Sequence, residues 1–266
     1  MTDLSALIDT DRHRLTDAAW LGEKRNELNA QGVVQMRGLL QPDALADLQN
    51  ESAMGLNQAY FKPQSHNIYL DKGDEALPDS HIRNRRLTSS KGCITDDQIA
   101  TRSVLKQIYH HADFISALCL ILGENALYPY ADSLSSVNIH YARRGEELNW
   151  HFDNSSFAVT LMIQPATSGG AFEYVRDVRD ADKDEMGFIH AEAVVDGSQP
   201  ANQLSLDAGD LLLFRGRNSL HRVTPVEDDS TRQLAVLAYN NQPGISLCET
   251  AQMTFYGRMS GPEATV

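Results

Sequence analysis

Two textures divide the chain. The first sixty residues are dominated by helical spacing. Over residues 16–29, Ala18, Ala19, Leu21 and Leu28 recur at intervals that place them on one helical face. Residues 32–39 (GVVQMRGL) alternate and are rich in valine, which predicts a short strand. Pro42 stands where a helix begins and Asp43 suits its positive end, with Ala44, Leu45 and Leu48 as its apolar face. Residues 62–95, interrupted by Pro63, Gly73, Pro78 and Gly92, predict a long irregular segment of the functional or mobile kind. A further helix is predicted over 95–122, with Asp96 and Asp97 in its first turn and Gly123 as its stop.

After Leu127 the pattern changes to short runs of β-branched and aromatic residues: 135–141, 157–164, 171–175, 211–214 and 233–239. Turn signals lie between them, among them Ser168-Gly169-Gly170 and Ala208-Gly209-Asp210. Strands at this spacing predict a sandwich or barrel. The fold class is therefore α+β, with helices first and a jelly-roll-like β core after. No linker or repeat interrupts the chain. One domain is expected over 1–266, mainly helical over 1–126, with the β core and its site over 127–266.

Composition narrows the function. A chain of 266 residues is long enough for one large domain with a substantial core. The net charge of −13 disfavours a nucleic-acid partner. No apolar stretch reaches the length of a membrane span, and the first residues contain no apolar secretion signal. Cys93, Cys119 and Cys248 are too few and too far apart for a disulfide framework or a zinc knuckle, so a cytoplasmic protein with reduced thiols is expected. The basic cluster at 83–86 (RNRR) reads by itself as solvated surface.

Candidate chemistry begins at Asn149-Trp150-His151-Phe152-Asp153. On extended backbone, residues i and i+2 share a face, so His151 and Asp153 can converge on one metal ion. His221, 70 residues further on, supplies a third ligand. Two histidines and one carboxylate form the facial triad of iron(II) oxygen chemistry, with positions left open for a bidentate co-substrate and O2. Arg232, eleven residues after His221, opens a strand from which a guanidinium can grip a distal carboxylate, as 2-oxoglutarate would require. A lone His-x-Asp arises easily by chance; the order and placement of the whole set are what make it specific. Asn138 and His140 share a strand face beside the site, where they can line it, Asn138 as a candidate cofactor-binding residue with Arg232; core packing or a structural hydrogen bond is the alternative for both. His110-His111, within the expected helix, diverge too far to share a metal. His13, His66, His81 and His190 show no partner pattern.

The residues His151-Phe152-Asp153, Gly169-Gly170-Ala171-Phe172-Glu173, Gly209-Asp210-Leu211-Leu212-Leu213-Phe214, His221-Arg222-Val223-Thr224-Pro225 and Arg232 together resemble the Fe(II)/2-oxoglutarate-dependent oxygenase superfamily. Within it, the chain is most similar to the BesD-like free-amino-acid halogenases and hydroxylases. The resemblance implies a double-stranded β-helix (jelly-roll, cupin-like) and oxidation of an unactivated C–H bond, with Fe(II), 2-oxoglutarate and O2. Halogenases of that branch carry Gly or Ala where this chain has Asp153, so the resemblance implies a hydroxylase. A free amino acid is the implied substrate, a basic side chain being preferred. Arg85 and Arg86 are then candidates for its carboxylate, Asp132 for its ammonium, and Asn240 for either. Expected partners are this small molecule and no membrane or nucleic acid, with a homodimer left open. A nucleic-acid demethylase of the same superfamily would need a further arginine where Gln233-Leu234-Ala235 stands. A cupin-like metal protein or isomerase would share the triad without needing Arg232, and a β-sandwich with an accidental triad would need neither. Succinate formation separates the oxygenase from the cupin-like alternative.

Overall fold

The computed structural model describes residues 3–261; residues 1–2 and 262–266, the two ends of the expected domain, lie outside the described residues. Its helices are α1 (Ala18–Gln31), α2 (Pro42–Gly55), α3 (Val104–Tyr109), α4 (Ala112–Leu122), α5 (Phe188–Val195) and α6 (Glu249–Tyr256). The N-terminal strands are β1 (Val33–Met36), β2 (Tyr60–Phe61), β3 (Gln64–His66), β4 (Leu87–Ser89) and β5 (Gly92–Ile94). The remaining strands are β6 (Val137–Ala142), β7 (Leu148–His151), β8 (Ala158–Gln164), β9 (Phe172–Val175), β10 (Asn202–Leu204), β11 (Leu211–Phe214), β12 (Leu220–Val223) and β13 (Arg232–Leu237).

Side-chain caps decide where the helices begin. The Asp17 carboxylate accepts from the amides of Ala19 and Trp20 and starts α1, which Gly32 ends at φ 72°. Its buried face is Trp20, Leu21 and Leu28; Ala18 and Ala19, expected on that face, are exposed because they sit in the first turn. The helix expected over 95–122 is broken. Thr95 and Gln98 form a capping box on a single 3-10 turn, Ser103 caps α3, and the His111 ring caps α4 by accepting from Asp113 N–H. Each of these side chains offers the backbone an alternative to continuing the helix. His110 and His111 therefore occupy the break between α3 and α4.

A seven-stranded antiparallel sheet runs β1-β11-β8-β13-β6-β5-β2 and faces a four-stranded sheet β10-β9-β12-β7. Strand alternation gives the large sheet two different apolar faces. Leu211, Leu213, Val159, Leu161, Ile139 and Ala235 pack outward in one core with α1, α2, α3 and α4. Leu212, Phe214 and Met162 point inward and meet Phe172, Tyr174 and Val223 of the smaller sheet. This is the double-stranded β-helix, with helices along one side. Asp210 ties the N-terminal part to it: fully buried, it accepts from Gln35 Nε2 at 2.8 Å, Gly38 N–H at 2.7 Å and Asp207 N–H at 2.9 Å. Among the described residues no helix is long and apolar enough to cross a membrane.

Candidate metal centre and its cavity

Strands β7 and β12 are antiparallel neighbours, and their register places His151 directly opposite His221, with ring centroids 4.2 Å apart. Asp153 follows two residues beyond His151, at the end of β7. Its Oδ1 lies 3.7 Å from His151 Nε2 and 3.5 Å from His221 Nε2. Ligand atoms of the three residues all lie within 4.8 Å of one another.

Both rings are held in the tautomer a metal requires. His151 Nδ1–H donates to Asn149 O at 2.8 Å, and His221 Nδ1–H donates to Ser219 O at 3.0 Å. Each Nε2 therefore points its lone pair at Asp153 and the space between them. Burial, reinforced by His221, lowers the pKa of His151 to about 3, which keeps it neutral. Asp153 Oδ2 is buried with no hydrogen-bond partner among the described residues. An orphaned anionic oxygen beside two imidazole lone pairs is a donor set that fits a divalent ion, and two His with one carboxylate fits Fe(II) in particular.

The surroundings fix this arrangement. Asp153 N–H donates to Gly216 O at 3.1 Å, and a Cβ on Gly216 would lie 1.8 Å from Asp153 Oδ2. Arg179 lies over the Phe152 ring at 4.2 Å and donates to Asp153 O at 3.3 Å and Arg217 O at 2.7 Å. His66, in the segment expected to be irregular, stacks edge-on against His151 at 6.3 Å. Ser89 Oγ accepts from Asn149 N–H at 2.8 Å and donates to His66 Nε2 at 2.7 Å.

The triad opens into a cavity of about 500 Å³. Leu148, Phe172, Leu212, Phe214, Leu234 and Val236 form its apolar wall. Its charged wall consists of Lys62, Arg86, Lys91 and Arg232 against Asp71 and Asp153. Arg232 comes from the inner face of β13, and its buried Nε has no hydrogen-bond partner among the described residues. Burial lowers the Arg232 pKa to about 10. Its stem lies against Gly170, where a Cβ would come within 2.9 Å of Arg232 Cδ.

Of the residues expected to contact ligands, the structure brings His151, Asp153, His221, Arg232 and Arg86 to this cavity, Arg86 donating to Ser65 at its rim. Four others are placed elsewhere. The Asn138 amide donates to Leu134 O at 2.7 Å and Val137 O at 2.9 Å, and its Oδ1 accepts from Tyr256 O–H at 3.2 Å. Asp132 accepts from Leu134 N–H and Leu247 N–H, both at 3.0 Å, and closes a turn. Arg85 pairs with Glu192 of α5 and with Asp196, which follows that helix. Asn240 exchanges backbone hydrogen bonds with Tyr128, each 2.8 Å. Lys91, His66, Asp71 and Lys62 are wall residues that the sequence pattern did not single out. The strands of their segment are too short to show an alternation.

A family model described as Halogenase D matches residues 16–254. No curated protein matches the chain. Among solved structures, a 2OG-Fe(II) oxygenase family oxidoreductase from Burkholderia pseudomallei is similar at 13% identity and TM-score 0.55, covering 85% of this chain and 93% of its own. The non-haem α-ketoglutarate-dependent carbocyclase SnoK of nogalamycin biosynthesis gives 12% identity and TM-score 0.58, covering 90% and 93%. HygX from Streptomyces hygroscopicus, solved with nickel, 2-oxoglutarate and hygromycin B bound, gives 13% identity and TM-score 0.57, covering 90% and 95%. At these identities the likeness establishes the fold that the strand topology already describes.

Proposed function

The chain belongs to the Halogenase D family and is built as an Fe(II)/2-oxoglutarate-dependent oxygenase; we propose that its reaction is hydroxylation of a C–H bond in a small, carboxylate-bearing molecule, a free amino acid being the substrate class. The observation that carries this reading is Asp153, whose Oδ1 lies within 3.7 Å of both imidazole Nε2 atoms. In the halogenases that this chain resembles, that position holds no carboxylate. Here an anionic side chain fills it, which disfavours halide there and favours oxygen transfer.

With iron(II) and 2-oxoglutarate bound, the chemistry supplied is activation of O2 coupled to loss of CO2 from the keto acid, giving succinate and one oxygen atom for the substrate. The protein's own residues do the rest. His151 Nε2, His221 Nε2 and an Asp153 oxygen would hold the metal, and the backbone carbonyls behind the rings keep those lone pairs aimed. Arg232 would take the distal carboxylate of the co-substrate through its fork of N–H donors. The apolar wall from Leu148 to Val236 excludes water from the reacting carbon.

Arg86 is the cavity cation best suited to the substrate's carboxylate. Asp71, on the same wall, is the acid available to its ammonium and already pairs with Arg83 at 2.6 Å. With four cations against two acids on the wall, the charge of the cavity favours an anionic group of the substrate over a basic side chain. The test is incubation with the free amino acids, Fe(II), ascorbate and 2-oxoglutarate in chloride buffer, followed by mass spectrometry. A mass gain of one oxygen, matched by succinate, is expected. A chlorinated product, or turnover of peptidyl or carrier-bound substrates alone, would contradict the reading.

A further inference from the structure

Arg232 has a companion cation. In the register of the large sheet Arg232 stands opposite Ala142, and Leu234 opposite His140. On the other side of β6, Gly92 stands opposite Tyr141 and Cys93 opposite His140. Lys91, the residue before Gly92, thus falls in the row of Ala142 and Arg232, and both cations line the cavity. The alanine methyl between them fills little of the space that a larger side chain would take.

Neither cation has a counterion among the described residues: no carboxylate pairs with Lys91 or Arg232. The Lys91 ammonium lies 2.9 Å from His140 Nδ1 and 2.8 Å from Nε2, so it donates one hydrogen to the edge of that ring. The imidazole can accept only when neutral. Burial, then the charges of Lys91 and Arg232, keep His140 well below its ordinary pKa and so ensure this. The remaining two ammonium hydrogens have no partner among the described residues. A buried guanidinium and a half-buried ammonium on the wall of one cavity, each short of acceptors, are favoured by a ligand that brings an anion between them. A carboxylate has two oxygens, one for each cation.

We propose that Lys91 is a second anchor for the distal carboxylate of 2-oxoglutarate, which bridges Arg232 and Lys91 across Ala142 while His140 orients the ammonium. The proposal rests on the reading of Arg232 as the co-substrate's anchor. It makes the site selective for a keto acid with a second carboxylate, because a ligand lacking it leaves both cations unpaired.

The experiment is an anaerobic titration of the Fe(II)-loaded protein, following the charge-transfer absorption that develops when a 2-oxo acid chelates iron. 2-Oxoglutarate is compared with 2-oxopentanoate, which has the same chain and no distal carboxylate. Lys91→Met should weaken 2-oxoglutarate on the order of tenfold to a hundredfold and leave 2-oxopentanoate unchanged within about twofold. Lys91→Arg should recover most of the loss, and His140→Leu should give a smaller loss with the same selectivity. Unchanged 2-oxoglutarate affinity in Lys91→Met, alongside a loss in Arg232→Met, overturns the second anchor and leaves Arg232 standing. Unchanged affinity in Arg232→Met overturns the reading of Arg232 and the bridge with it. Equal weakening of both keto acids in Lys91→Met also overturns the proposal, since the lysine then does not read the distal carboxylate.

Discussion

Gly216→Ala is the most revealing substitution in this structure, because it adds one carbon beside the candidate metal ligands without altering any of them. The backbone at Gly216 is not in the left-handed region, so alanine is conformationally allowed there and the effect is steric alone. The new Cβ would fall 1.8 Å from Asp153 Oδ2, 2.6 Å from its Cγ and 3.0 Å from its Cβ. Non-bonded carbon and oxygen do not approach so closely, so the carboxylate must retreat by more than an ångström. Its Oδ1 sits 3.5 and 3.7 Å from the two imidazole nitrogens, a spacing that lets all three share one ion. Such a retreat takes the carboxylate out of ligand reach. Loss of a supporting contact at a metal site costs about 10–100-fold in affinity, or about 1.4–2.7 kcal/mol, with an overpacking cost to the fold of about 1–3 kcal/mol. Anaerobic calorimetry with Mn(II) as a redox-stable probe measures the first, and urea denaturation the second. Asp153→Gly supplies the control: in that background Gly216→Ala has no carboxylate to displace, so the two losses should not add. Wild-type metal affinity in Gly216→Ala would refute the reasoning, as would full additivity in the double variant.

Other outcomes follow from the same geometry. Arg232→Ala should raise the apparent 2-oxoglutarate requirement roughly ten- to a hundredfold in steady-state kinetics, the value of a charge-assisted contact of about 1.5–3 kcal/mol. Asp153→Gly should lose most hydroxylation and give at best a trace of chlorinated product in chloride buffer; unimpaired hydroxylation by that variant would show that Asp153 is not an essential ligand. Asp210→Ala strands three donors from Gln35, Gly38 and Asp207 at once. It should destabilise the protein by about 3 kcal/mol in urea denaturation, and a loss under about 1 kcal/mol would mean that water replaces the carboxylate.

The three residues that the structure brings together as candidate metal ligands were legible because their signal is local. His151 and Asp153 lie two apart on extended chain, and His221 and Arg232 follow in the order that the β core requires. The walls, apart from Arg86 and Arg232, were not legible, because residues 62–95 take their shape from distant partners. Phe152 N–H donates to Ile68 O at 2.8 Å, and Ser90 and Glu147 exchange backbone bonds at 2.8 and 3.1 Å. A segment organised by pairing with β7 carries no period of its own, yet it supplies Lys62, His66, Asp71, Arg86 and Lys91 to the cavity. The break at His110-His111 was hidden for the opposite reason. Apolar positions continue through it, from Val104, Leu105 and Ile108 to Phe114 and Leu118, and only the caps of Ser103 and His111 mark two helices.

Asn138 and His140 show most clearly what alternation can and cannot decide. Both project from the inner face of β6, as period-two spacing requires. Their positions along the strand separate them. His140 stands opposite Cys93 and Leu234 where the cavity is open, and Lys91 reaches it there. Asn138 lies two residues closer to the end of the sheet that α6 covers, and the Tyr256 hydroxyl from that helix donates to its Oδ1. A polar group in that covered position must satisfy its hydrogen bonds within the protein, so the Asn138 amide turns back to its own loop at Leu134 and is unavailable to a ligand. Period-two spacing identifies a face, but which residues on that face meet a ligand depends on what packs over it. Here α6 sets that limit, and its apolar positions give no sign in the sequence of which end of β6 they will cover.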